Sequence, residues 1–517
     1  MKKILCFLLL LSAISCSDML DKRPDDGYTR EEILTQGGME LLLTGAYSLM
    51  SGDGYYGLRL YICEAMKGSE FFMRGSGGVA FSGEDGYSTG SRSTGNCRVM
   101  WRDIYLAIRN LTIIIENIDD IWVDNEVLRR IKGQAYLLRG LCYFDLMRLY
   151  SYPPIFSIPG HTKYDEQFRW GVPILNSVEV GSNIKDHSLP RETAETTYAF
   201  IIDQFQRAEE LLEGRVIERN RANAATATAL LIRAYLYLED WNKVIQEGEE
   251  WLIKYGSHYR MLAYEDYATT YHKPFNSENI WEFEYTLANN LGSNSLNYWM
   301  RRPTWNEPGE ARDGTPSENI GYSKLCLTFG RTAGVTRGYD LLMNSPNDVR
   351  RYLICSLGIV GHPEYLSLRK YVGDPIHSVH NIPVVRLPEI YLSLAEAYVK
   401  SGNYAKAIEN ASIVTQARCN APADVSHLNN IYDERRRELM LEGHAFWDFF
   451  RTARSMTGRQ IINYMNDGSI SFGNVTGAHY RVVYPIPLAE LNVNPTIRSQ
   501  QNPGYAEWYL SLEDEDD

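Results

Sequence analysis

Cysteine is scarce and scattered. The chain has eight in 517 residues (Cys6, Cys16, Cys63, Cys97, Cys142, Cys326, Cys355 and Cys419), and no two form a CxxC pair. A redox dithiol or a thiolate zinc site needs closely spaced cysteines, so neither is indicated. The ten histidines are dispersed, and no His/Asp/Glu spacing suggests a catalytic metal. No GxSxG, P-loop or GxGxxG motif survives inspection, so the commonest sequence grounds for a hydrolase, an NTPase or a dinucleotide enzyme are not met. Basic residues are outnumbered 52 to 65, for a net charge of −13. That sign does not suit a phosphate backbone, and no nucleic-acid partner is expected. Past the N-terminus no apolar run approaches the roughly 20 residues a helix needs to cross a bilayer.

The N-terminus itself reads as a targeting segment. Lys2-Lys3 is followed by an apolar stretch over residues 4–11 that is too short to span a membrane, and then by small residues. Ala13-Ile14-Ser15-Cys16 has the form of a lipobox, which makes residues 1–15 a signal peptide and Cys16 the lipidated first residue of the mature chain. The alternative is plain secretion with Cys16 incidental. Lys2 and Lys3 leave with the signal, so the mature chain is more acidic still. It is expected to be anchored to a membrane and not embedded in it. Residues 16–35 then form anchor and tether.

Helical periodicity dominates the rest of the chain. Helices are predicted over residues 31–51, 101–119, 126–150 and 196–212, and around 433–450, from apolar residues spaced i, i+3, i+4, i+7. The clearest unit is 387–418. Leu387, Ile390, Tyr391, Leu394, Ala395 and Tyr398 line one helix face, Ser401-Gly402-Asn403 breaks the pattern, and Ala407, Ile408, Ala411 and Val414 line a second helix. The small residues Ala395, Ala397, Ala405 and Ala407 suit close helix approach. A shift of 163 positions lays Ala234-Tyr235 and Trp241–Ile245 over Ala397-Tyr398 and Tyr404–Ile408, with Leu238-Glu239-Asp240 as the earlier turn. A repeated helix hairpin is the signature of a tetratricopeptide-like scaffold, whose units bury their apolar faces only by stacking. The fold class is therefore mainly α, with irregular segments inserted. Cys142 and Cys419 fall in helical patterns and are expected to pack as small apolar residues.

Two long stretches do not fit the helical pattern. Residues 52–100 and 271–379 are rich in Gly, Ser, Asn and single aromatics, and long aperiodic segments in a helical protein tend to carry function. The second contains a strand over 280–285 with Glu282 and Glu284 at i and i+2, a normal solvent-facing pattern and poor grounds for a glycosidase pair. Helical frame is assigned to 36–51, 101–270 and 380–455, all within one domain over 36–517.

Taken in order, the motifs resemble the SusD/RagB outer-membrane lipoproteins of Bacteroidetes. Cys16–Asp21 with Pro24 resembles the family's anchor, and Gly133–Arg139 with Tyr143-Phe144 its third helix. Leu189-Pro190-Arg191-Glu192-Thr193 with Tyr198 is similar to its PR-x-T helix start. Asp348-Val349-Arg350-Arg351, Lys370-Tyr371, Ile382–Leu392 with Ala395-Glu396-Ala397, Glu434–Glu438 with Glu442-Gly443, Pro485-Ile486-Pro487 and Gln501–Tyr505 come next, in the family's order. The resemblance implies a surface-exposed glycan-binding lipoprotein that serves a SusC-like TonB-dependent transporter, with the helical half as constant frame and the loops as ligand site. It implies no enzyme and no cofactor; neither a metal nor a structural calcium is indicated by the residues.

Sugar binding needs aromatic faces for the C–H face of a pyranose and planar polar groups for its hydroxyls. Off the helical frame, two clusters offer them. The first is Asn297, Tyr298, Trp299, Arg301 and Trp305, beside Asn306; the second is Arg74, Phe81 and Tyr87. The carboxylates at Glu434, Glu438 and Glu442 are instead expected to be structural, paired with Arg386 or Arg418. A scaffold lipoprotein that acts through protein contacts, or takes a non-glycan nutrient, is the alternative reading.

Overall fold

The computed structural model describes residues 30–68, 70–73, 81, 95–121, 124–178, 189–300, 325–327, 331–332, 335–336, 338–345, 347–356, 366–368, 370–371, 379–454, 460–463, 468–471 and 480–505. Among these residues the frame is built from eleven helices: α1 (Gln36–Ser51), α2 (Arg59–Lys67), α3 (Gly95–Asn117), α4 (Asn125–Tyr150), α5 (Ala194–Leu212), α6 (Ala224–Tyr237), α7 (Trp241–Tyr255), α8 (Leu387–Lys400), α9 (Tyr404–Cys419), α10 (Leu428–Glu438) and α11 (Ala445–Arg451). Packing runs from neighbour to neighbour: α1 on α3, α3 on α4, α4 on α5, α5 on α6, α6 on α7, α7 on α8, and α8 on both α9 and α10. This is the one-dimensional stacking of a tetratricopeptide-like fold. The tight approach of α4 to α5 depends on Gly140, where a Cβ would meet the Phe205 ring at 2.7 Å.

The repeat read from sequence extends to the backbone. At the α6–α7 turn Asp240 takes the amide of Lys243 on its carboxylate (3.2 Å), and at the α8–α9 turn Asn403 does the same for Lys406 (3.2 Å) with its side-chain oxygen. The residue before each cap is left-handed, with φ of 57° at Glu239 and 77° at Gly402. The cap amides also donate to equivalent carbonyls, Asp240 to Tyr235 (3.0 Å) and Asn403 to Tyr398 (2.8 Å). Ala395, Ala397, Ala407, Ala411 and Val414 are buried as expected. Ala405 and Ile408 are exposed, because α9 turns the Ala407–Ala411–Val414–Arg418 stripe inward and both lie off it.

Several boundaries differ from the periodic reading. The first helix is broken, since Thr35 caps α1 through the Gly38 amide (3.0 Å) after a short turn Arg30–Ile33. Part of the stretch expected to be loop is frame: α2 buries Leu60 through Lys67, and Tyr56 donates its hydroxyl to Asp145 (2.7 Å). The helix expected around 433–450 is two, α10 and α11, parted by a turn with Leu441 (φ 62°) and Gly443 (φ 74°). That turn carries Glu442 into the core. Cys142 is fully buried in α4 as expected, whereas Cys419 is only partly buried at the end of α9.

Strand β1 (Asn279–Phe283) pairs antiparallel with β2 (Ile382–Arg386), which runs straight into α8. All five β1 residues are buried, so Glu282 does not face solvent as its alternation suggests. A register shift between Trp281 and Glu282 turns it inward.

Behind β2 lies a buried ionic network. Arg386 bonds Glu442 (2.8 Å), Glu438 (2.9 Å) and Glu278 (3.0 Å); Arg418 bonds Glu438 (3.0 Å); Arg350 bonds Glu434 (2.9 Å) and Glu438 (3.1 Å). Lys370 reaches the Glu438 carbonyl (2.7 Å) and the Glu442 carboxylate. At the far end of the frame Arg191 is buried without a carboxylate, held by carbonyls of Gly171, Tyr150, Trp170 and Gln500 and by Asn502 Oδ1 (2.9 Å). Burial lowers its pKa to about 9.

Candidate functional site

Phe81 and Trp299, one residue from each aromatic cluster, come into contact although they lie more than two hundred positions apart in sequence. Phe71–Met73 pairs antiparallel with Leu325–Leu327, which joins the two irregular segments edge to edge. A second contact also links the two segments: the rings of Phe81 and Trp299 stand perpendicular, with centroids 5.1 Å apart. Phe81 is 1% exposed and belongs to the core, whereas Trp299 is only partly buried against it. Phe81 thus backs the indole, part of whose surface remains exposed.

Trp299 sits on the short helix Leu296–Met300. Ser295 fixes the helix start, accepting the Tyr298 amide on its hydroxyl (3.1 Å) and the Trp299 amide on its carbonyl (3.2 Å). Asn297 is buried and donates its amide to the Tyr371 carbonyl (2.8 Å), while Tyr371 donates its hydroxyl to the Leu441 carbonyl (2.7 Å). The aromatic segment is thus tied to the α10–α11 turn and through it to the ionic network. Asn297 Oδ1 is buried with no hydrogen-bond partner among the described residues. Tyr298 is half-buried beside it. Of the remaining sequence candidates, Arg74, Tyr87, Arg301 and Trp305 lie outside the described residues, as does Cys16. Tyr371 and the pairing with Phe81 were not found from sequence; only the Lys370-Tyr371 motif hinted at an anchor there.

Among the described residues, the carboxylates weighed as an acid/base pair are engaged separately. Glu282 is buried, accepting from Asn279 and from the Phe275 amide (2.7 Å), and desolvation raises its pKa to about 7. Glu284, two residues on, is exposed and accepts from Asn220 (2.9 Å). In the network, burial alone would raise Glu434 and Glu438. The guanidinium groups outweigh it, holding Glu434 at about 2 and Glu438 well below the usual carboxylate range. Acids locked in the ionised form cannot donate the proton that glycosidic cleavage needs. The pairing of Glu438 with both Arg386 and Arg418 bears out the structural role read from sequence.

Comparison with known proteins gives the chain's relatives. Residues 362–505 match the family model described as SusD family, and residues 18–236 the model described as starch-binding, associating with outer membrane. The chain is 22% identical to SusD-like protein P25 of Formosa agariphila over 97% of this chain and 99% of that one. It is 30% identical to the starch-binding protein SusD of Bacteroides thetaiotaomicron over 149 residues, 29% of this chain and 26% of that one. A solved SusD superfamily protein from Bacteroides thetaiotaomicron superposes with a TM-score of 0.74 at 25% identity, covering 91% of this chain and all of that one (100%).

Proposed function

The chain belongs to the SusD/RagB family, and from that membership we propose that it is a glycan-binding lipoprotein that captures oligosaccharide at the cell surface for a SusC-like TonB-dependent transporter. The observation that carries the binding half is the perpendicular Phe81–Trp299 pair, at the junction of the two irregular segments. A half-buried indole braced from behind is the element a pyranose face stacks upon, because the C–H face of the sugar is apolar and the ring cannot yield under it. Tyr298 stands next to it in sequence, and Arg301, Trp305, Tyr87 and Arg74 are the further candidates for the same site. The family model's starch-binding, outer-membrane description and the relationship to a starch-binding protein support a saccharide ligand over another nutrient.

In this reading Cys16 carries the lipid that holds the protein on the outer membrane, and the helical frame gives the transporter a rigid surface. The protein binds without cleaving, since the buried carboxylates of the ionic network serve as structural counter-ions. Trp299→Ala tests the site: retention by glycan should be lost while the thermal melt is kept. Co-purification of the transporter from native membranes tests the partnership, and its failure would leave the binding reading standing alone.

A further inference from the structure

One cavity has none of the loop aromatics in its lining. It has a volume of about 490 Å³ and opens between the N-terminal half of α3, the segment around Leu189 and the short helix Leu488–Val493. On α3, Arg98, Arg102, Tyr105 and Arg109 follow the i, i+4, i+7, i+11 spacing of one helix face, and all four line it. Trp101 closes the wall beside Tyr105, the two rings tilted with centroids 4.8 Å apart. Trp101 is fixed by donating its indole N–H to Glu490 Oε2 (3.2 Å).

Two buried polar atoms here have no partner among the described residues. Arg109 Nε is a donor with no acceptor, and Asn494 Oδ1 is an acceptor with no donor. Asn494 is 3% exposed and its amide already donates to the Leu189 carbonyl (2.8 Å), so its oxygen cannot turn away to solvent without breaking that bond. Buried groups left unsatisfied are costly, and a ligand that satisfies both recovers that cost. Of the charged groups lining the cavity, three are guanidinium and one is the Glu490 carboxylate, while Arg102 also pairs with Asp103 (2.7 Å). The lining therefore calls for an anionic group toward the arginines, a hydroxyl toward Asn494 and an apolar ring face toward Tyr105.

We infer that this cavity is a binding site for an acidic sugar, a uronic acid unit whose carboxylate meets the Arg102–Arg109 edge of α3 and whose hydroxyl donates to Asn494. A volume near 490 Å³ lies within the range of small-ligand pockets. The site shares no residue with the Phe81–Trp299 cluster and does not depend on it.

The test is titration of the mature chain in detergent with D-galacturonic acid, against D-galactose as neutral control. Galacturonate should bind at least about tenfold more tightly than galactose, since a charge-assisted hydrogen bond is worth that much. Its affinity should fall in 0.5 M salt by the screening of exposed guanidinium groups, on the order of several-fold. Arg109→Gln should remove the preference for the acid, and Arg102→Gln, at an exposed position, should weaken it if the first variant does not fold. Trp299→Ala should leave it unchanged. Equal or absent binding of the two sugars would overturn the inference. So would full affinity in the folded Arg109→Gln and Arg102→Gln variants, or loss of galacturonate binding in Trp299→Ala.

Discussion

Phe81 and Trp299 stand at right angles, ring centroids 5.1 Å apart, although they come from two irregular segments separated in sequence by helices α3 to α7. The contact joins one described residue of each cluster, and under the proposed function the two rings play different parts. Replacing Trp299 by Ala should abolish retention by glycan with the melting temperature kept within a few degrees, because the ring is only half-buried. Phe81→Ala should both weaken binding and cost about 3–5 kcal/mol of stability, the usual penalty for emptying a buried aromatic. Urea unfolding beside affinity electrophoresis separates the two. A Phe81→Ala protein of normal stability and normal affinity would remove the bracing role.

Arg386 is the hub of the buried network, with three carboxylates within 3.0 Å. Removing a charge from such a cluster leaves its partners buried and uncompensated, at a cost of about 3–5 kcal/mol. Arg386→Met should therefore shift the urea midpoint strongly. Adding Glu438→Gln to it should cost less than the sum of the two single changes, since both break one network. Strict additivity would mean the two residues do not act together.

The α6–α7 turn holds a left-handed Glu239 where its repeat holds Gly402. A side chain in that conformation is strained by about 1–2 kcal/mol. Glu239→Gly should relieve it and raise the melting temperature, the loss of its long contact with the His161 ring (3.4 Å) offsetting only part of the gain. Gly402→Ala should lower it. A drop in both variants would show that the shared turn geometry is not what matters.

Stability should fall on both sides of a range near pH 5. Burial alone would raise Glu434 and Asp448, but Arg350 and Arg437, and Arg435 and Arg451, hold them at about 2. Their pKa is lowered in the folded state, so their contribution is present above the ordinary carboxylate value and is lost as pH falls toward 2. Glu64 and Glu282 are raised by burial to about 8 and about 7. For these the folded state holds the proton more tightly, so stability declines as pH rises from about 4.5 to 8. Glu64→Gln keeps an oxygen for the Phe446 amide (2.7 Å) and should flatten that alkaline decline. Melting curves from pH 3 to 8 read both limbs, and an unchanged alkaline limb in the variant would contradict the assignment.

The parts of this protein that were legible in its sequence are those in which one local pattern fixes one structure. The hairpins at Leu387–Cys419 and Ala224–Tyr255 follow from periodicity and turn residues, down to equivalent caps at Asp240 and Asn403. The pairing of Glu438 with Arg386 and Arg418 followed from charges too closely set on one helix to be left unpaired. Where the reading failed, a distant contact overrode the local pattern. Glu282 is turned inward by a register shift against β2, and the turn between α10 and α11 exists because Glu442 pairs with Arg386 and Lys370. The Phe81–Trp299 contact and the Arg109–Asn494 cavity join positions hundreds of residues apart, and no spacing rule reaches that far.

The central claim is that this chain binds glycan at the Trp299 face. Native affinity electrophoresis of the mature protein against plant, host and microbial glycans tests it most directly, with Trp299→Ala run alongside. The wild type should be retarded by one class of glycan and the variant by none. Retardation of both to the same degree would contradict the site, and mobility unchanged by every glycan would contradict the function.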